Sequence, residues 1–228
     1  MTANRKSAFI VGVLFILATV TSIIGLILYD PILNGPNSLV TGSEHANQVI
    51  LGALLELILA CSVVGTSITL FPFLKKQNES LALGYVCFRL LEAAIIIVGV
   101  ISVLSLLTLS QEFVKISTPN TASFQTSGIL LKAVHDWTFM LGPNFMLAVN
   151  TMMCSYLLYK SKLVPRFISI MGLAGATLIF IATLLEMFGI ILQLSTWGAI
   201  LAVPVFAYEM ILAVWLIVKG FNSTSHAS

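Results

Sequence analysis

The chain of 228 residues is far more apolar than a soluble protein: apolar residues make up 58% of it, charged residues 9%, and its mean hydropathy is +1.04. This composition excludes a soluble globular domain and predicts an integral membrane protein. The formal net charge of +2 gives no reason to expect a nucleic-acid partner.

Six apolar runs follow one another along the chain. Each is longer than the roughly 20 residues that a helix needs to cross about 30 Å of hydrocarbon. The runs cover residues 8–28, 49–74, 81–109, 130–159, 167–193 and 198–218. Because a helix satisfies its own backbone polar groups in lipid, we predict an all-α, polytopic fold with six transmembrane helices in a single domain, 1–228.

The positive charges predict the orientation of these helices. Eight Lys and Arg residues fall on one side of the predicted membrane and two on the other. The eight are Arg5, Lys6, Lys75, Lys76, Lys160, Lys162, Arg166 and Lys219, and the two are Lys115 and Lys132. Since Lys and Arg gather in short cytoplasmic loops, both termini are predicted to be cytoplasmic.

Ionisable side chains inside the predicted spans are the candidate functional residues, because a charge at the bilayer centre costs at least about 2.5–3.5 kcal/mol. Counting about 1.5 Å per residue from the ends of the spans places Glu56, Glu92 and Glu186 each roughly 12 Å below the outer surface. The full set of candidates in this outer half is Arg89, Glu92, Glu56, Glu186, Glu209, His135 and Asp136.

Charge counting gives this set a functional interpretation. Arg89 and Glu92 are three residues apart on one helix face, which must point into the bundle. The one Arg can neutralise only one of the four Glu residues in the set, so the other three must be protonated, hydrated or bound to a cation. We therefore predict an outward-open, hydrated cavity that binds or transports a proton, a cation, or a small polar or lipid ligand.

Two other functions stay open from the residues alone. In the first, His135, Asp136 and Glu56 bind a metal that activates water in an intramembrane, hydrolase-like enzyme. Neither H-E-x-x-H nor G-x-S-x-G occurs in the chain, and the sequence does not identify a cofactor. In the second, Arg89 with Glu92 or Glu209 is a structural tie, and the protein is a structural or regulatory membrane partner. An oligomer is possible, since six spans are few for a transporter.

Four segments of the chain resemble signature segments of the bacterial DUF4386 family, a domain of unknown function. They are LFPFLKKQNESLALGYVCFRLLEA, HDWTFMLGPNF, YLLYKSKLVPRFISIMGLAGA and YEMILAVWLIVKGF. The resemblance covers nearly the whole chain and implies a six-helix protein of the bacterial plasma membrane. It also implies that Arg89, Glu92, Glu209 and the His135–Trp137 run belong to the family's most recognisable segments, but it implies no reaction.

The charge bias gives a test of the topology. In a chain whose Cys61, Cys87 and Cys154 are replaced by Ser, Asn37→Cys is expected to react with an impermeant thiol reagent on intact cells. Asn78→Cys is expected to react only after lysis, because it lies between the second and third spans on the predicted cytoplasmic side. Labelling of Asn78→Cys on intact cells would reverse the orientation.

Overall fold

The computed structural model describes residues 3–35, 37–116, 121–193 and 195–222. Over these ranges the chain is helical and contains no strand, which confirms the all-α class. The helices are α1 (Ala3–Leu28), α2 (Asp30–Leu33), α3 (Ser38–Glu44), α4 (Ala46–Leu74), α5 (Glu79–Lys115), α6 (Thr121–Phe139), α7 (Leu147–Ser161), α8 (Arg166–Met187) and α9 (Thr196–Val218), with a π-helical segment, Met140–Met146, between α6 and α7.

Five of these helices are long and apolar enough to cross a membrane, namely α1, α4, α5, α8 and α9. The predicted fourth span, 130–159, is divided among α6, the π-helical segment and α7. Pro143 lies inside the π-helical segment and has no N–H to donate, so regular α-helical hydrogen bonding does not continue through it. Six membrane crossings therefore stay a prediction.

The helix of the predicted fifth span ends earlier than residue 193. Gly189 has a positive φ of 69°. Its N–H donates to the Glu186 carbonyl at 3.0 Å, and the Ile190 N–H donates to the Leu185 carbonyl at 2.9 Å. This pair of bonds is a Schellman motif, which terminates α8 at Met187. The predicted boundary was wrong because apolar residues continue beyond the end of the helix.

Two clusters of buried apolar side chains mark the two ends of the bundle. The first end contains Ala8, Leu74, Ala82, Leu158, Ile168 and Leu216. The second end contains Tyr29, Val49, Val103 and Leu107, with Leu131 packed against them. The chain therefore runs from the first end to the second along α1 and α5, and it returns along α4 and along the joined α6, π-helical segment and α7. Helix α8 leaves the first end and α9 returns to it.

Helices α8 and α9 pack closely at Gly175, and this contact gives a prediction about stability. A Cβ at position 175 would lie 2.8 Å from the Val205 backbone N and 2.9 Å from its Cα. Because these are backbone atoms, Gly175→Ala must push the two helices apart, at about 1–3 kcal/mol. We expect a lower midpoint of thermal unfolding for the purified protein in detergent.

The matched control is Gly84→Ala, on α5. A Cβ there would lie 3.4 Å from the Sδ of Met153, which is the flexible part of a side chain. Since Ala is favoured over Gly in a helix by about 0.8–1.0 kcal/mol, this variant is expected to unfold at the same midpoint or a higher one. Equal losses in the two variants would show that the α8–α9 contact is not the cause.

Candidate functional site: a buried ion-pair cluster and three cavities

Arg89 lies at the centre of a buried ion-pair cluster. Arg89 and Glu92 are each 3% exposed. One guanidinium nitrogen, Nη1, lies 3.1 Å from Glu92 Oε2. The other, Nη2, lies 3.5 Å from Oε1 of Glu209 on α9. Asn150, on α7, donates from Nδ2 to Glu92 Oε2 at 2.6 Å. The cluster thus joins side chains of three helices, α5, α7 and α9.

Helix α5 places Arg89 and Glu92 on one face. It begins at Glu79, where the Asn78 side chain caps it by accepting from the Leu81 N–H at 2.9 Å. From this start the helix continues without interruption, so residues 89 and 92 lie on adjacent positions of one face. The sequence named Glu92 and Glu209 as possible partners of Arg89, and the structure brings both to it.

Aromatic rings cover the rest of the guanidinium. Its Cζ lies 5.7 Å from the ring centroid of Phe15, on α1, and 5.8 Å from that of Tyr85, on α5. Arg89 Nε is buried and has no hydrogen-bond partner among the described residues. Because ring faces attract a desolvated cation by about 2 kcal/mol, these contacts help to hold the charge in an apolar bundle.

The cluster lines a cavity of about 240 Å³, which we call the central cavity. Two carboxylates and one guanidinium face it, so the cluster has one surplus negative charge when both acids are ionised. Asn144 and Thr66 add polar groups to its wall. A site with these groups can bind a proton, a metal cation or the cationic part of a larger molecule.

The central cavity opens on the apolar surface of the bundle. Its wall includes Ile23 of α1 and Phe206 of α9, which are 49% and 47% exposed. Nearer the first end of the bundle, α1 and α9 are in close contact, and a Cβ at Gly12 would lie 2.6 Å from the Ala213 carbonyl oxygen. The two helices therefore close the cavity at that end and leave a side opening beyond it.

Glu56 lies apart from this cluster. A Cβ at Gly25 would lie 3.0 Å from Glu56 Oε1, so the missing side chain at position 25 makes room for the carboxylate. Glu56 lines a separate cavity of about 20 Å³, which we call the Glu56 cavity, together with Tyr29, His135 and Thr138. The sequence placed Glu56 and Glu92 at one depth, but they face different cavities.

His135 and Asp136 lie between the Glu56 cavity and a larger one. His135 is 8% exposed, and its Nδ1 lies 3.4 Å from Asp136 Oδ1. Its ring packs edge-on to that of Tyr29, with centroids 5.9 Å apart. Both residues line a cavity of about 690 Å³, the Asp136 cavity, with Lys132 and Asp30. The Asp136 side chain is 48% exposed, so this cavity is accessible from outside the bundle.

Glu186 is at the end of α8 and is not among the described residues that line the central cavity or the Glu56 cavity. Its carboxylate accepts from Asn144 Nδ2 at 3.5 Å. A Cβ at Gly198 would lie 2.8 Å from Glu186 Oε1, so the carboxylate lies beside the first turn of α9. The positive end of the helix dipole favours an anion there. The Schellman motif ends α8 one residue after Glu186, and the common depth of the acids stays a prediction.

The three candidate metal ligands do not form a metal site. Within residues 3–35, 37–116, 121–193 and 195–222, no three His, Cys, Asp or Glu side chains come together as metal ligands would. His135 and Asp136 are adjacent, but Glu56 does not complete a set with them. The geometry therefore gives no support to the metal-dependent hydrolase alternative.

Two residues of the site, Asn150 and Tyr29, were not predicted from the sequence. Asn150 is fully buried and completes the Arg89 cluster. The available signal was an amide in an apolar run, which is more often a helix-packing residue. Tyr29 follows the last residue of α1 and gave no signal in the sequence, since aromatic residues are common at membrane boundaries.

The fold and the site together define an all-helical membrane protein whose bundle encloses a buried Arg–Glu cluster. The chain belongs to the family described as Domain of unknown function (DUF4386), whose family model matches residues 10–220. This match confirms the resemblance of the sequence segments and covers most of the chain. No curated protein and no solved structure matches the chain.

Replacing Arg89 with Leu is expected to destabilise the protein strongly. The change leaves two carboxylates in an apolar cavity without their cation, which costs about 3–5 kcal/mol where the partner is buried. Glu92 keeps its hydrogen bond from Asn150, whereas Arg89 is the one ion-pair partner found for Glu209 among the described residues. A second change, Glu209→Leu, is therefore expected to restore more of the thermal midpoint than Glu92→Leu.

Lys115→Leu is the matched control for this experiment. Lys115 and Glu112 form an ion pair at the same three-residue spacing on the same helix, at 2.8 Å, but their side chains are 65% and 54% exposed. Exposed pairs contribute only about 0–1 kcal/mol, so the thermal midpoint should change little. An Arg89→Leu protein as stable as the Lys115→Leu protein would mean that water reaches the cluster and screens its charges.

Proposed function

We propose that the protein binds or transports a small cation, a proton or the cationic part of a polar or lipid ligand in the central cavity. The observation that carries this proposal is that Glu92 and Glu209, from two helices, share the single guanidinium of Arg89. The surplus carboxylate is the group that would bind the ligand. Glu209 fits this role better than Glu92, because Glu92 already accepts from both Arg89 and Asn150.

The size and opening of the central cavity support a small or amphipathic ligand. Its volume of about 240 Å³ is below the range of about 300–1,000 Å³ that is typical of drug-sized ligands. The side opening at Ile23 and Phe206 faces the apolar surface of the bundle, where lipid tails would lie. A ligand with an apolar tail would place its cationic group near Glu209 and its tail at this opening.

The membrane topology that we propose has six spans, with both termini cytoplasmic, in the plasma membrane of a bacterium. The first end of the bundle supports it, because the loops and chain ends there carry the larger group of positive charges. The joined α6, π-helical segment and α7 provide the sixth span. The alternative function is that of a structural or regulatory membrane partner without a small-molecule site. The contact of Glu92 with Asn150 favours it, because this contact joins α5 to α7.

Ligand binding by Glu209 is tested by thermal unfolding of the protein in lipid nanodiscs. Sodium, potassium, tetramethylammonium and a long-chain alkylammonium are titrated separately. A ligand that binds only the folded state stabilises it by about 2.7 kcal/mol at a concentration 100 times its Kd. We expect at least one of these cations to raise the midpoint, and we expect Glu209→Gln to abolish the rise because it removes the surplus charge.

The control variant is Glu112→Gln, which removes an exposed carboxylate of α5 and should leave the cation effect intact. If the cation raises the midpoint of wild-type protein and both variants equally, the binding site is elsewhere. If no cation raises the midpoint of the wild-type protein and Glu209→Gln lowers it, as the loss of a tie between α5 and α9 would, the structural function replaces the proposal.

A further inference from the structure

We propose that the Glu56 cavity is a second site, separate from the central cavity, which binds one water molecule and a proton between Glu56, Tyr29 and His135. This cavity has a volume of about 20 Å³. A single water needs about 10–15 Å³ and two to four polar partners. The wall supplies a carboxylate, a phenol, an imidazole and the hydroxyl of Thr138.

The hydroxyl of Tyr29 is the strongest sign of a missing partner. Tyr29 is 2% exposed, and its hydroxyl has no hydrogen-bond partner among the described residues. A buried polar group without a partner costs about 1–3 kcal/mol, so such groups are nearly always satisfied by protein or water. Thr138 donates its hydroxyl to the His135 carbonyl at 2.8 Å, which leaves its oxygen free to accept from a water.

Glu56 is the group in this cavity that would take the proton. Lys and Arg are absent from the described residues that line it, and the titratable side chains there besides Glu56 are Tyr29 and His135. Asp136, which lines the Asp136 cavity and not this one, contacts His135 Nδ1. An ionised Glu56 would have no fixed cation beside it, so protonation is the available way to neutralise it. Because Gly25 has no side chain, there is space for the Glu56 carboxylate at this position.

His135 connects this site with the outside of the bundle. It lines both the Glu56 cavity and the Asp136 cavity. Its Nδ1 edge faces Asp136 at 3.4 Å, and the Cδ2 edge lies near Gly99, which lines the Glu56 cavity. Since an imidazole can accept a proton at one nitrogen and release another from its second nitrogen, His135 is placed to pass protons between the two cavities.

An apolar wall separates the second site from the Arg89 cluster. The residues that line both the Glu56 cavity and the central cavity are Ile96, Phe139 and Pro143. None of them can bind a proton, so in this conformation the route from the Asp136 cavity ends at Glu56. The second site is therefore independent of ligand binding at Glu209, and either proposal can fail without the other.

Infrared difference spectroscopy of the protein in nanodiscs tests the second site. We expect a band of a protonated carboxyl group on acidification, and its loss in Glu56→Gln. Tyr29→Phe keeps the ring and removes the hydroxyl, so it should shift the frequency of this band by changing the hydrogen bonds of the water. In deuterated buffer, exchange at the band should be slower in His135→Leu by about tenfold or more.

Glu112→Gln and Glu209→Gln are the controls, and both should retain the band. The proposal is overturned if the band survives in Glu56→Gln, or if Tyr29→Phe leaves its frequency unchanged. It is also overturned if His135→Leu exchanges as fast as the wild-type protein. Should Glu56→Gln fail to fold, the shift in Tyr29→Phe and the slower exchange in His135→Leu still decide the question.

Discussion

The charge of Arg89 is the constraint on which the arrangement of the bundle depends. A guanidinium in an apolar bundle must be compensated, and carboxylates from α5 and α9 both contribute. Over the described residues these two helices do not pack extensively against each other. The contact between Arg89 and Glu209 therefore reaches across the central cavity, and it keeps an opening between helices that apolar side chains would otherwise fill.

The π-helical segment, Met140–Met146, also shapes the site. It contains Pro143, which lines both the central cavity and the Glu56 cavity, and Asn144, which donates to Glu186. Pro143 cannot contribute a backbone donor, and a π-helical turn is one way for a helix to continue past such a residue. One irregular segment thus forms part of two cavity walls and contacts the acid at the end of α8.

The sequence predicted the features that depend on composition or on neighbours within one helix. The apolar runs predicted the positions of five long helices, because a helix needs about 20 consecutive apolar residues to cross the hydrocarbon layer. The spacing of Arg89 and Glu92 placed them on one face, because residues three apart are neighbours on any α-helix. The end of α8 could not be predicted from the apolar run 167–193, since Phe188 and Ile190 are apolar but lie beyond the last residue of the helix.

By itself, the sequence determined that the protein is an all-helical membrane protein and that Arg89 needs a carboxylate partner. The tertiary structure decided which acids share a cavity. Counting residues gives a depth along each helix, but it gives neither the direction in which a side chain points nor the exact helix end. Glu56 faces Gly25 and Glu186 faces Gly198, whereas Glu209 faces Arg89, because the packing of neighbouring helices fixes the rotation of each helix about its axis.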